Sequence, residues 1–263
     1  MRRILSLVSA FCLLAAPLSA QDWAKAKLDK SPRHQEWVTL KNGAHTIHCF
    51  VVYPEVKDKA PAILVIHEIF GLSDWAKDEV DQLAAAGYVV IAPDLITGLG
   101  PNGGDTESFT GTSMTKTVSG LPADQVTGDL DAAADYITQQ PACNGELMVT
   151  GFCWGGGQSF RYATHRHDLK AAFVFYGVPP KELGSIACPV YGFYAGNDAR
   201  ISATVPATTG NMKAAGKTYE PVIYDGAGHG FMRAGEDPAG TDANKKAHDD
   251  AWARWLGLLK KAS

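Results

Sequence analysis

Apolar residues in this chain fall into short unbroken runs separated by longer stretches of mixed character. Ala62 to Ile66, Tyr88 to Ala92, Leu147 to Val149, Ala171 to Tyr176 and Pro189 to Tyr194 are such runs, and continuous apolar character over so few residues marks a strand covered on both faces of a parallel sheet. His45 to Tyr53 and Tyr219 to Tyr224 are rich in β-forming residues and extend the series. Between the runs the period changes to that of helices. Ser73 can cap a helix over 74–86 that turns Trp75, Val80 and Leu83 inward and stops at Gly87. Further helices are expected over 122–140, 155–166, 203–215 and 242–260, the last placing Trp252, Trp255, Leu256 and Leu259 toward the sheet. Strand and helix alternate, so one α/β domain with a mostly parallel, doubly wound sheet flanked by helices is predicted over 45–263.

Two stretches fall outside this alternation. Residues 21–44 are polar and mixed, read as a surface lead-in to the domain. The segment from Ile96 to Leu121 is rich in Gly, Ser and Thr without a hydrophobic period, and is read either as an excursion over the strand ends, such as a lid, or as disorder.

The N-terminus changes the picture again. Arg2 and Arg3 precede an apolar run from Ile4 to Ala16, and Pro17-Leu18-Ser19-Ala20 follows. This has the form of a secretory signal peptide over residues 1–20, cut after Ala20, and predicts a periplasmic or secreted protein with no membrane span after cleavage. The run is short of the roughly 20 residues a span needs. Losing two arginines and no acid takes the net charge from −4 to −6, which offers nothing to nucleic acid or an anionic surface. Cys12 leaves with the leader, and Cys49, Cys143, Cys153 and Cys188 remain. An oxidising compartment permits a Cys143–Cys188 disulfide, since both precede strands at the same edge of the sheet, although buried free thiols are the plainer expectation.

Chemistry concentrates after the strands. Gly151-Phe152-Cys153-Trp154-Gly155 puts Cys153 at a strand-to-helix corner, where a side chain stands clear of the sheet and the start of the next helix favours thiolate over thiol. Glu68, Asp198 and His229 each follow a strand of their own. A cysteine nucleophile needs a base near neutral pH, which His229 supplies, and an acceptor to orient that imidazole, which Asp198 supplies. The backbone N–H of Trp154 and one from the loop after 62–66, assigned to Ile69, would receive an oxyanion. No metal or cofactor motif is found. His165 and His167 point to different helix faces, and the Gly155-Gly156-Gly157 run lacks the spacing of a phosphate loop.

Five motifs taken together, His67-Glu68-Ile69-Phe70-Gly71, Pro93-Asp94-Leu95, Gly151-Phe152-Cys153-Trp154-Gly155-Gly156, Gly196-Asn197-Asp198 and Gly228-His229-Gly230-Phe231, resemble the dienelactone hydrolase family of α/β-hydrolases over about residues 45 to 258. The resemblance implies a Cys153, His229, Asp198 triad, and a glutamate, Glu68, that takes part in controlling the thiol and thiolate states. It implies two arginines for a substrate carboxylate. Arg233, four residues past His229, matches one, whereas the stretch Ile96-Thr97-Gly98-Leu99 holds no match for the other. The expected activity is hydrolysis of a small ester or lactone, of the carboxymethylenebutenolidase type, by a monomer without cofactor. A broad carboxylesterase or thioesterase, and a non-catalytic binding protein or thiol sensor of the same fold, are the alternatives.

Overall fold

The computed structural model describes residues 21–110 and 112–263; the leader over 1–20 lies outside the described residues. Eight strands form one sheet in the order β1-β2-β4-β3-β5-β6-β7-β8, where β1 is Gln35–Asn42, β2 His45–Val52, β3 Ala60–Ile66, β4 Val89–Asp94, β5 Cys143–Phe152, β6 Ala171–Phe175, β7 Val190–Ala195 and β8 Tyr219–Tyr224. From β4 across to β8 every pairing is parallel, while β1 and β2 add an antiparallel edge. The unbroken apolar runs are β3 to β7, and their core residues are almost fully buried.

Helices cover both faces, because a parallel strand must cross over to reach its neighbour. On one face lie α1 (Asp22–Leu28), α2 (Asp74–Ala85) and α9 (Asp242–Ala262). They close over an aromatic cluster in which the Phe175 ring stands 4.2 Å from Phe193, 4.9 Å from Phe152 and 4.8 Å from Trp255. On the other face, α4 (Ala123–Thr138), α5 (Trp154–Tyr162) and α7 (Val205–Ala214) bury Val126, Leu130, Ile137, Phe160 and Met212.

Residues 21–44, expected as a surface lead-in, are built into the sheet and one of its helical faces. They form α1 and the edge strand β1, which pairs with β2 along its whole length, from Gln35 opposite Val52 to Asn42 opposite His45. Val38 and Leu40 alternate with exposed Thr39 and Lys41, the pattern of a half-covered edge strand. Trp37 shares the exposed side with Thr39 and Lys41, so an apolar residue on the solvent face hides the alternation in the sequence. The sheet therefore begins at Gln35.

The cysteines Cys49, Cys143, Cys153 and Cys188 are all free. Cys143 opens β5, and Cys188 lies two residues before β7, with β6 between them. Two strand spacings come to about 9.6 Å, beyond the roughly 7 Å Cα separation that a disulfide can close.

The excursion from Ile96 to Leu121 is built around two single turns, Pro101–Gly103 and Thr106–Ser108, and α3 (Ser113–Ser119). Ile96, Phe109, Met114 and Val118 form a small core of their own against Ile69, Phe70, Leu121 and Trp154. One carboxylate pins its base. Asp94 accepts hydrogen bonds from the Thr106 N–H (2.9 Å), the Thr106 hydroxyl (2.8 Å) and the Ile96 N–H (3.3 Å), and Thr106 Oγ1 in turn accepts from the Leu72 N–H at 2.9 Å. Gly71 makes room for this, since a Cβ there would stand 2.3 Å from Thr106 Oγ1.

Candidate active site

Cys153 sits between β5 and α5 with φ 55° and ψ −115°, a strained conformation for a side-chain-bearing residue. The flanking glycines make the corner sterically possible. A Cβ on Gly151 would lie 2.0 Å from the Gly155 carbonyl oxygen, and one on Gly155 would lie 2.3 Å from the Ile66 carbonyl oxygen. The Cys153 N–H donates to the Phe175 carbonyl (3.0 Å), so β6 fixes the corner.

The ends of four strands bring the predicted residues together. His229 Nε2 lies 3.0 Å from Cys153 Sγ, and His229 Nδ1 lies 2.5 Å from Asp198 Oδ2. Asp198 follows β7 and also caps the short α6 (Ala199–Ser202), accepting from the Ile201 N–H at 3.4 Å. His229 follows β8 and leads through Gly230, at φ 75°, into α8 (Phe231–Glu236). The N–H groups of Trp154 and Ile69 lie on the Cys153 side of this corner and pull its thiol downward.

Glu68 follows β3 and is buried. Its Oε2 accepts from Arg233 Nε at 2.9 Å, and its Oε1 lies 3.5 Å from the Tyr176 hydroxyl. Arg233, the residue matched to a substrate carboxylate, is thus paired with Glu68, and its guanidinium lies over the Phe70 ring at 5.3 Å. His67 is a buried hydrogen-bonding residue. Its Nε2 accepts from the Leu95 N–H (3.3 Å), which leaves the proton on Nδ1 for the Glu68 carbonyl (2.7 Å), and its ring stacks on Trp154.

The resting sulfur differs from the sequence expectation of a thiolate. Burial first, and the Glu68 carboxylate second, push the Cys153 thiol up to about 12. The Trp154 and Ile69 N–H groups and Arg200 pull the other way and lose. The start of a helix favours an anion by about 0.3–1 kcal/mol at an exposed site, too little to offset a buried position beside a carboxylate.

Two residues at this site escape a motif-based reading. Tyr176 directly follows β6 at φ 40°, fully buried, with its ring edge-on to His229 at 5.0 Å. Its position at the end of a central strand, like those of Cys153 and Asp198, was the available signal. Arg200, in α6 just after Asp198, is exposed and makes no ion pair among the described residues, and its positive charge is the weakest of the influences that pull the Cys153 thiol downward. Nothing in the sequence separates it from other surface arginines.

With this geometry in hand, the comparisons with known proteins are consistent with one another. A sequence profile of the dienelactone hydrolase family matches residues 47–263. The chain belongs to the dienelactone hydrolase family, within the α/β-hydrolase fold, and is a hydrolase of the class that acts on esters and lactones. A Salmonella typhi protein provisionally named a carboxymethylenebutenolidase is 35% identical over 219 residues, covering 77% of this chain and 78% of that one. The carboxymethylenebutenolidase of Pseudomonas putida is 28% identical over 199 residues, covering 72% and 82%. The crystal structure of a Klebsiella pneumoniae protein provisionally assigned as a dienelactone hydrolase superposes with a TM-score of 0.75 at 29% identity, covering 87% of this chain and 98% of the other.

Proposed function

We propose that this protein hydrolyses a small ester or lactone, of the carboxymethylenebutenolidase type, through Cys153 and a thioester intermediate. The observation that carries the reading is the continuous line of contacts from Cys153 Sγ through His229 to Asp198; the N–H groups of Ile69 and Trp154, which pull the thiol downward, are the donors we assign to the oxyanion. A thiol held up to about 12 cannot wait as a free thiolate. Attack is therefore coupled to proton transfer: the Cys153 S–H proton passes to His229 Nε2 as the carbon–sulfur bond forms, and the carbonyl electron pair moves onto the oxygen facing the two N–H groups. Asp198 holds the Nδ1 proton and stabilises the imidazolium. Collapse expels the alkoxide, which takes the proton back from His229. Water, deprotonated by His229, then cleaves the thioester and regenerates the thiol. In a lactone the departing alkoxide remains tethered to the acyl group, so no separate alcohol has to leave the site during acylation.

The relatives' names support a substrate that carries a carboxylate beside its lactone. Arg233 can meet such a group only by sharing its guanidinium with Glu68. We also propose that the protein is exported to the periplasm or beyond, on the strength of the leader over residues 1–20.

Mass spectrometry of the mature protein, acid-quenched within seconds of mixing with a muconolactone-type lactone or an activated aryl ester in separate runs, tests the chemistry. An acyl adduct on Cys153 is expected, and Cys153→Ala and His229→Ala should each lower kcat/KM by about a thousandfold or more. Turnover that survives Cys153→Ala would remove the nucleophile assignment. Binding without turnover in the unaltered protein would instead favour a binding protein of this fold.

A further inference from the structure

Away from Cys153, three helices on the α1/α2/α9 face converge on a set of buried acids. Asp78 and Glu79 lie on α2 and are 1% and 0% exposed, Glu236 ends α8, and His248 lies on α9. Among the described residues one cation faces them. Lys27 of α1 places Nζ 2.6 Å from Glu236 Oε2 and 3.4 Å from Asp78 Oδ2. The Trp75 indole N–H donates to Glu236 Oε1 at 3.0 Å, and the Gln82 amide donates to Glu236 Oε2 at 2.9 Å. Glu79 has only the Glu236 carboxylate beside it, near enough to share a proton. Both of its oxygens are sealed from solvent with no N–H or other fixed donor among the described residues, and His248 Nε2 is likewise sealed without a partner. Orphaned buried polar atoms on this scale are uncommon and ask for a missing partner.

The nature of the missing partner follows from what the atoms can do. His248 Nδ1 lies 3.0 Å from Asp249 Oδ1, and an Nδ1–H donated to that carboxylate leaves Nε2 as a lone-pair donor. A Glu79 oxygen, a Glu236 oxygen and a His248 nitrogen all lie within 4.8 Å of one another. Three electron-pair donors then face one another; a shared proton can join the two carboxyls, but only a cation satisfies all three at once. A carboxylate behind a histidine is also the arrangement that orients metal-bound imidazoles. Gly235 allows the approach, since a Cβ there would stand 2.4 Å from the His248 Cβ.

We propose that Glu79, Glu236 and His248 hold one Zn²⁺, separate from the Cys153 site, which ties α2, α8 and α9 together. The imidazole ligand favours a first-row ion over Mg²⁺ or Ca²⁺, which prefer all-oxygen sets. Three N and O ligands with one further position for water suit tetrahedral zinc. Bonds of about 2.0–2.2 Å put tetrahedral ligands about 3.4 Å apart, so binding draws the three side chains inward by about an ångström. Any proton that Glu79 carries leaves as the ion enters. The site's members stand at 79, 236 and 248, too dispersed to form a sequence motif.

The test uses the mature chain in a Cys153→Ser background, because a thiol beside His229 could itself take zinc. After chelator treatment the protein is equilibrated with one equivalent of ZnCl2, passed through a desalting column, and analysed by elemental mass spectrometry and thermal unfolding. About one retained zinc per chain is expected, with Tm raised by about 5 °C. Glu79→Gln and His248→Gln should each reduce retention at least tenfold and abolish the shift. If Glu79→Gln does not fold, His248→Gln, whose side chain is 14% exposed, makes the same comparison. Zinc retained equally in the variants would place the ion elsewhere and overturn the proposal. No retained zinc and no shift would overturn it too, leaving the cluster as a carboxylic acid–carboxylate pair.

Discussion

At the scale of single residues, Glu68 adds to burial in holding the Cys153 sulfur as a thiol. Its carboxylate lies against the Cys153 site and is held there by Arg233 and Tyr176. With the thiol held up to about 12, only about one molecule in ten thousand carries a thiolate at pH 8. Glu68→Gln removes a negative charge and leaves the Arg233 cation unpaired, and both changes favour the thiolate. The sign is therefore downward. The curve of iodoacetamide alkylation against pH should move to lower pH by about one unit or more, and the rate at pH 8 without substrate should rise about tenfold. An unmoved curve would show that burial alone sets the thiol.

Cys153, Asp198 and His229 were legible in the sequence because each stands beside glycines at the end of its own strand, and a doubly wound sheet gathers strand ends on one side. Tyr176 also directly follows a strand, but it lies outside the motifs. The thiolate expectation failed for a physical reason: a sequence displays the start of the helix and does not display burial or the distance to Glu68.

At the scale of elements, the corner at Cys153 and the base of the excursion each depend on a close approach. Gly155→Ala would drive a Cβ to 2.3 Å from the Ile66 carbonyl oxygen, where the obstacle is backbone and cannot rotate away. A loss of about 3 kcal/mol or more by urea unfolding is expected, at the upper end for overpacked positions. Gly145→Ala offers a contrast. Space is open there, and only its φ of 90° opposes a side chain, so a loss of about 1–2 kcal/mol is expected. Equal losses at the two positions would mean that the corner yields more easily than its packing implies.

The excursion gives a second prediction at this scale. Thr106→Val keeps the shape and removes the hydroxyl that donates to Asp94 and accepts from Leu72. About 1–3 kcal/mol should be lost, and limited proteolysis between Ile96 and Leu121 should accelerate. Protection equal to that of the unaltered protein would mean that the apolar cluster alone fastens the segment. The sequence displayed no period here because the segment has a small core of four buried apolar residues and two short turns, too little to impose a repeat over 26 positions. Conversely, the buried strands β3 to β7 were legible because a strand covered on both faces has no polar position to interrupt it.

At the scale of the whole molecule, the N-terminal segment is part of the structural unit. Its polar composition reflects the surface it meets: α2 presents acids, and α1 with the turn after it presents their partners. Asp81, 3% exposed, receives the Ser31 hydroxyl at 2.6 Å, the Arg33 Nε at 3.0 Å and the Gln35 amide at 3.1 Å, and pairs with the Arg33 Nη2 as well. Lys27 reaches Asp78 and Glu236, and the Gln21 side chain accepts from the Trp75 N–H at 3.0 Å. A chain starting at Gln35 would keep every strand and lose Arg33, Ser31 and Lys27 from three buried carboxylates. Removing one partner of a buried ion pair costs about 3–5 kcal/mol. Arg33, with its side chain 18% exposed, comes close to that case, whereas Lys27, half exposed, contributes less. In a chain of this size each kcal/mol moves Tm by about 2–4 °C, so calorimetry should find the truncated protein at least about 10 °C less stable than one starting at Gln21. Asp81→Asn in the truncated chain should recover part of the loss, because it removes a charge left without a partner. Truncation without effect would return residues 21–34 to the role of a surface lead-in.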